Sequence, residues 1–147
     1  IRDSTRVTYV YHYDDLIVIS ISPEGEIEWT RKIRKAQASS NGPSLLSSYH
    51  LSVSNNKLYF FHNGNAENLL IGPKDKLKGW VLNKKACGIV TEINEEGYMR
   101  SDIFMDVASH SAIPYIRIGT NLSSNEILFF GTYKKDTKYL KVRLPKE

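Results

Sequence analysis

Apolar and polar residues alternate along most of this chain in short runs, and helical spacing is almost absent. Ten runs carry the period-2 pattern of half-buried strands: Val7–Tyr13, Leu16–Ser22, Glu26–Ile33, His50–Ser54, Lys57–His62, Gly88–Ile93, Tyr98–Phe104, Tyr115–Gly119, Glu126–Tyr133 and Lys138–Leu144. Turn-forming stretches separate them, among them Pro23-Glu24-Gly25, Asn55-Asn56, Asn63-Gly64-Asn65, Glu95-Glu96-Gly97 and Ser123-Ser124-Asn125. About ten strands in a chain of 147 residues predict an all-β fold: a propeller, a sandwich or a barrel. Two longer loops interrupt the rhythm. Lys35–Ser48 is rich in Ser, Gly and Pro, and Asn63–Lys85 carries Gly72-Pro73, several lysines and room for a short helical turn.

The strands repeat. Leu16–Gly25 aligns with Gly88–Gly97, matching Ile17, Val18, Ile21, Glu24 and Gly25 to Ile89, Val90, Ile93, Glu96 and Gly97 at an offset of 72. Ser54–Phe61 aligns with Ser123–Phe130 at an offset of 69, with Ser, Asn and a Phe-Phe pair in common. In the first hairpin type an acidic residue and a glycine close the turn, glycine supplying the positive φ. In the second, a polar turn leads into a strand apolar on both faces, Leu58–Phe61 or Ile127–Phe130, as expected of a strand buried on both.

These repeats predict β-propeller-like blades, one complete and two incomplete. His50–Ser54, Lys57–His62, Gly88–Ile93 and Tyr98–Phe104 make the complete one. Val7–Tyr13, Leu16–Ser22 and Glu26–Ile33 read as the last three strands of a preceding blade. Tyr115–Gly119, Glu126–Tyr133 and Lys138–Leu144 read as the first three of a following one. Too few blades are present to close a ring. The chain is therefore expected to be one domain, a fragment or C-terminal part of a larger propeller. The alternatives are a ring completed with another copy of itself, and a β-sandwich or partly open barrel. The start at Ile1 rather than Met favours the first, a processed or trimmed piece.

Composition changes this picture little. Hydrophobic residues at 41% and charged residues at 24% are an ordinary globular balance, and nine tyrosines suit pleated, half-buried surfaces. No stretch reaches the ~18 apolar residues that a membrane helix needs. A single cysteine, Cys87, excludes an intrachain disulfide and a cysteine metal cluster; it enters an apolar strand and reads as a buried, inert thiol. The net charge is +4, concentrated in Arg31-Lys32 with Arg34-Lys35, in Lys74 to Lys85, and in Lys134-Lys135 with Lys138. Acidic residues are mixed throughout and no RNA- or DNA-binding signature is present, so these clusters read as solvated edges and loops. Their functional reading is an anionic partner: nucleic acid, the least favoured, a lipopolysaccharide or an acidic glycan.

Tyr9–Leu16, Ile21–Trp29 and Arg31–Ile33, followed by Lys57–Phe61, Asn63 and Asn65–Asn68, resemble segments of uncharacterised exported proteins of the Bacteroidetes. The resemblance covers most of the chain in order and its motifs are structural. It implies a propeller-like fold with an extracytoplasmic location, at the periplasm or cell surface, and no known activity. Gly25-x-x-x-Trp29 is also similar to the tryptophan-docking blades of quinoprotein-like and WD-like propellers; the second hairpin has Ser101 in the Trp position, so no cofactor is carried over.

Catalytic signatures are lacking. His12, His50, His62 and His110 have no metal-ligand spacing and read as satisfied or solvated. Asp14-Asp15 and Glu95-Glu96 read as turns, Ser39-Ser40 and Ser47-Ser48 lie outside any nucleophile elbow, and Gly72-Pro73-Lys74-Asp75-Lys76 lacks phosphate-loop spacing. The function expected is a non-catalytic binding or scaffold module on an exported bacterial protein, without cofactor or metal. Its partner is expected to be a protein or glycan, the rest of its own precursor, or another copy of itself. Any ligand is expected at the loop-bearing end, around Tyr49, Asn63, Asn65, Trp80 and His110. The alternative is part of a hydrolase acting on a glycan or peptide.

Overall fold

The structure, a computed structural model, describes residues 6–42, 44–133 and 136–145; Ile1 and the Lys134-Lys135 pair of the third basic cluster lie outside these. The fold is all-β. Among the described residues the strands, in chain order, are β1 (Val10–His12), β2 (Leu16–Ile21), β3 (Ile27–Ile33), β4 (Ala38–Ser40), β5 (His50–Ser54), β6 (Lys57–Asn65), β7 (Ala86–Ile93), β8 (Met99–Asp106), β9 (Ile113–Pro114), β10 (Thr120–Asn121), β11 (Glu126–Tyr133) and β12 (Asp136–Arg143). Among the described residues helical structure is confined to a four-residue helix α1 (Val107–His110) and two 3₁₀ turns, Ala66–Leu69 and Ile116–Ile118. No helix among the described residues is long and apolar enough to cross a membrane.

Among the described residues the strands form four sheets, none of them closed, and three of these stack as layers, the two-stranded β1–β4 sheet lying apart. At the centre β5, β6, β7 and β8 pair antiparallel in that order. Pairing of Leu58 with Ile93 and Phe60 with Thr91 puts these residues on one face, here the upstream face; Tyr59 and Phe61, paired with Glu92 and Val90, lie on the downstream face. The upstream face packs on the β2–β3 hairpin through Phe60 and Ile93 against Ile33, Leu16, Val18 and Trp29. The downstream face packs on the β9–β12 sheet through Tyr59 and Phe61 against Ile127, Phe129 and Leu144. Both faces of β6 are covered, which is why its sequence is apolar without alternation.

The two glycine hairpins share one hydrogen-bond pattern. Gly25 donates its amide to Ser22 O at 2.9 Å and Ser22 to Glu26 O at 2.8 Å; Gly97 donates to Asn94 O at 2.9 Å and Asn94 to Tyr98 O at 3.1 Å. In each, the side-chain oxygen of the first turn residue also accepts the returning amide, Ser22 from Glu26 and Asn94 from Tyr98. Both glycines have positive φ, 90° and 78°.

Two expected pairings are corrected. Val7–Tyr13 does not lie beside Leu16–Ser22; β1 pairs with β4 instead, Val10 facing Ser40. Leu16 faces Ile33, so the seven residues Val10–Leu16 match the eight from Ile33 to Ser40, and residues 9 to 41 make one long ribbon with this irregularity and a second between Ser20 and Ile21. Asp14-Asp15 is consequently no hairpin turn. It sits where the ribbon breaks, the Asp15 carboxylate accepting from the Lys35 amide at 2.9 Å and pairing with Lys32 Nζ at 2.5 Å.

Tyr115–Gly119 is likewise no strand. β9 pairs with β11 at Gly131 and Thr132, β10 pairs with it at Ile127 and Leu128, and the residues between them coil into the Ile116–Ile118 turn. The Ile-Arg-Ile alternation misleads because one isoleucine is needed elsewhere: Ile116 is fully buried in the core beside Phe61 and Phe129, while Ile118 stays exposed. Gly119 is required there, since a Cβ would stand 2.4 Å from the Phe129 ring.

Candidate functional site

The inward phase of β3 continues past its end. Ile33, Lys35 and Gln37 are all buried, two residues apart, although the last two are polar. Opposite them the upstream phase of β6 runs Leu58, Phe60, His62, so a histidine occupies the place where the pattern calls for an apolar side chain. The layers separate between these two rows. A cavity of about 350 Å³ opens there, lined by Lys32 to Ala36 on one side, by His62 to Gly64, Ile89, Thr91, Met99 and Ser101 on the other, and by Asn68, Leu69, Ile71, Pro73 and Leu77 of the long β6–β7 loop.

His62 is 3% exposed, and neither ring nitrogen has a hydrogen-bond partner. Burial, with the nearby Lys35 charge as a second cause, pushes its pKa from 6.5 down to about 3, so the ring is neutral, with one donor and one acceptor nitrogen. Lys35 is 5% exposed. Its ammonium donates to Tyr13 O, and to Gln37 Oε1 at 3.3 Å, which leaves one of its three hydrogens free. Burial lowers its pKa to about 8, against the pull of Asp14 and Asp15, so it is mostly charged at neutral pH.

The surroundings are tied down by hydrogen bonds. Gln37 donates to Asn63 O at 2.7 Å and accepts from the Ser48 amide at 2.9 Å. Arg34 donates to Gly72 O at 2.8 Å and to Asp75 O, holding the β6–β7 loop over the cavity. Thr91 and Ser101 share a hydroxyl bond of 2.8 Å. The lining thus carries Lys32, Arg34, Lys35 and the His62 imidazole, with no carboxylate.

Of the five residues expected around a ligand, Asn63 lines this cavity and the other four lie outside its lining. Asn63 is fully buried and acts as a pin, its amide donating to Leu46 O at 2.8 Å and Pro114 O at 2.9 Å. The Asn65 side chain accepts from Glu67 N at 3.0 Å and so starts the first 3₁₀ turn. Trp80 packs on the cluster of Ala86, Val107 and Ile113, and its amide donates to Ala36 O at 3.0 Å. Tyr49 is half-exposed, its ring 5.9 Å from that of Phe60. His110 ends α1, and its carbonyl accepts from Lys138 Nζ at 3.1 Å.

Two sequence readings are corrected here: His62 is neither satisfied nor solvated, and Lys35 is not a solvated edge charge. The period-2 phase that His62 shares with Leu58 and Phe60, and that Lys35 shares with Ile33, is the signal that locates them. Cys87 is fully buried, and burial raises its thiol to about 11. Among the described residues, no three His, Cys, Asp or Glu side chains gather as a metal site would require. The chain matches no family model, and no curated protein or solved structure matches it significantly.

Proposed function

We propose that this chain is a non-catalytic binding module of an exported bacterial protein, built from propeller-type blades. Its ligand occupies the cavity beside His62. The stack of three sheets and the shared pattern of the two glycine hairpins support the blade reading. The binding reading is carried by one observation: a buried imidazole with both nitrogens unpartnered, on the wall of a hollow that also holds a spare ammonium hydrogen. An unsatisfied buried polar group costs about 1–3 kcal/mol, and a ligand bearing acceptor and donor groups relieves that cost.

Lys32 is paired with Asp15, but Arg34 and Lys35, in a lining without a carboxylate, favour a ligand carrying an acid. Apolar patches at Ile33, Leu69 and Leu77 suit the faces of a sugar ring, and the hydroxyls of such a ring match His62. The ligand class is therefore an acidic glycan. A hydrolase has less support, since glycosidase chemistry needs two carboxylates across a cleft. Calorimetric titration with uronic-acid and neutral oligosaccharides tests the proposal. Binding of the acidic sugars, lost in both His62→Phe and Lys35→Met, is the expected result; acidic and neutral sugars binding alike, or binding unchanged in the variants, overturns it.

A further inference from the structure

The stack ends in apolar faces on both sides. On the β2–β3 hairpin, the face turned away from the central sheet carries Ile17, Ile19 and Ile21, exposed by 57%, 50% and 61%, with Ile27 beside them. On the β9–β12 sheet, the outward face carries Leu128 and the cross-strand pair of Phe130 and Tyr139, exposed by 44% and 77%. Contiguous apolar surface of this kind marks an interaction site.

The repeat offsets state what each face lacks. At an offset of 72, Ile17, Ile19 and Ile21 correspond to Ile89, Thr91 and Ile93, the upstream face of the central sheet. Val18, turned inward, corresponds to Val90 on the downstream face. At an offset of 69, Ile127 and Phe129 correspond to Leu58 and Phe60, both upstream-facing; Leu128 and Phe130 correspond to Tyr59 and Phe61, both downstream-facing. Every correspondence keeps its direction, so all three layers point the same way along the stack.

The hairpin therefore exposes an upstream face, of the type that elsewhere is covered by the layer before it. The last sheet exposes a downstream face, of the type that elsewhere is covered by the layer after it. Each open end is the kind of surface the other end needs. We infer that the occupant is a second copy of this chain, bound head to tail, with Phe130 and Tyr139 of one copy against Ile17, Ile19 and Ile21 of the next. Few free charges stand in the way: Arg143 and Lys141 of the last sheet both pair with Glu126, at 3.0 and 3.5 Å. Such a heterologous contact propagates, closing into a ring or continuing as a filament.

Sedimentation velocity on the full chain tests this with two variants, Ile19→Lys at one end and Phe130→Glu at the other. Unmodified chain is expected to sediment above monomer mass, and each variant alone as a monomer. An equimolar mixture of the two variants is expected to give one-to-one dimers and nothing larger, because each retains one intact face. The inference is overturned if the unmodified chain is monomeric at the highest attainable concentration, as it would be if these faces serve further blades of one polypeptide. It is equally overturned if one variant still self-associates, which means like faces pair, or if the mixture stays monomeric. Should either variant fail to melt cooperatively, Ile21→Lys and Tyr139→Glu test the same two faces.

Discussion

The central sheet meets its two neighbours in different ways. Downstream, the contact is aromatic around Phe61, with a second cavity of about 350 Å³ at its edge between Tyr59, Glu92, Phe104, Val142 and Leu144. Phe61 lies 5.3 Å from both Phe104 and Phe129, edge-on to the first and tilted to the second, and Ile116, Ile127 and Leu144 close the cluster. Upstream, the contact is apolar only toward the glycine turns, where Leu58, Phe60 and Ile93 meet Val18, Trp29 and Ile33. Toward the Lys35 end it opens into the cavity with an unpartnered imidazole. Both interfaces thus leave a hollow; they differ in that the downstream one has the larger buried apolar cluster and the upstream one has the unpartnered imidazole on its cavity wall.

Acid should separate the two interfaces most sharply. His62 titrates at about 3 in the fold and at the ordinary 6.5 when unfolded. Between those values the unfolded chain takes up a proton that the fold refuses, so stability falls as pH drops from 6.5 towards 3. The full loss is on the order of 4–5 kcal/mol by the lower end. Denaturant titrations across this range check it, with His62→Phe as the control. In that variant the slope flattens, and at neutral pH it is as stable as the unmodified chain or up to about 1 kcal/mol more so. An unchanged slope in His62→Phe refutes the assignment.

Next in size is Phe61→Ala, which removes the centre of the downstream aromatic cluster and is expected to cost about 3–5 kcal/mol, read from the denaturation midpoint. If it costs no more than His62→Phe, the downstream contact is not the stabilising one. Lys35 gives a further pH signature. Its pKa is about 8 in the fold against 10.5 unfolded, so the unfolded chain holds the proton longer and stability rises as pH climbs from 8 to 10.5. Lys35→Met should abolish that rise, measured on the same denaturant series.

The strands that read clearly in the sequence are those paired in a hairpin with their neighbour in the chain. His50–Ser54 and Glu126–Tyr133 have the expected bounds, and β2, β3, β6 and β7 differ only at their ends, because alternation and a nearby turn are both local signals. Tyr115–Gly119 was illegible because the burial of Ile116 depends on a partner far along the chain, which no local alternation reports. β1 was misplaced for the same reason: its partner Ala38–Ser40 is too short and polar to register as a strand. Of the site, the polarity of the loops was visible and the cavity was not. Asn63, read from a loop, lines the cavity and Trp80 does not, whereas the burial of His62 and Lys35 follows from strand phases that extend past the ends of the apolar runs.

The smallest effect concerns the two glycine hairpins, alike in hydrogen bonding and unlike in surroundings. The Gly97 turn rests on the preceding hairpin: Trp29 Nε1 donates to Glu95 O at 2.8 Å, Arg31 donates to Gly97 O, and a Cβ on Gly97 would stand 2.8 Å from the Trp29 ring. The equivalent Gly25 turn has open space at that position. Both glycines sit at positive φ, so alanine costs about 1–2 kcal/mol at either position from backbone strain alone. At Gly97 the displaced indole adds about 1 kcal/mol or more. The expected ordering is Gly97→Ala below Gly25→Ala in melting temperature. Equal values would mean that the Trp29 contact contributes nothing to holding the two layers together.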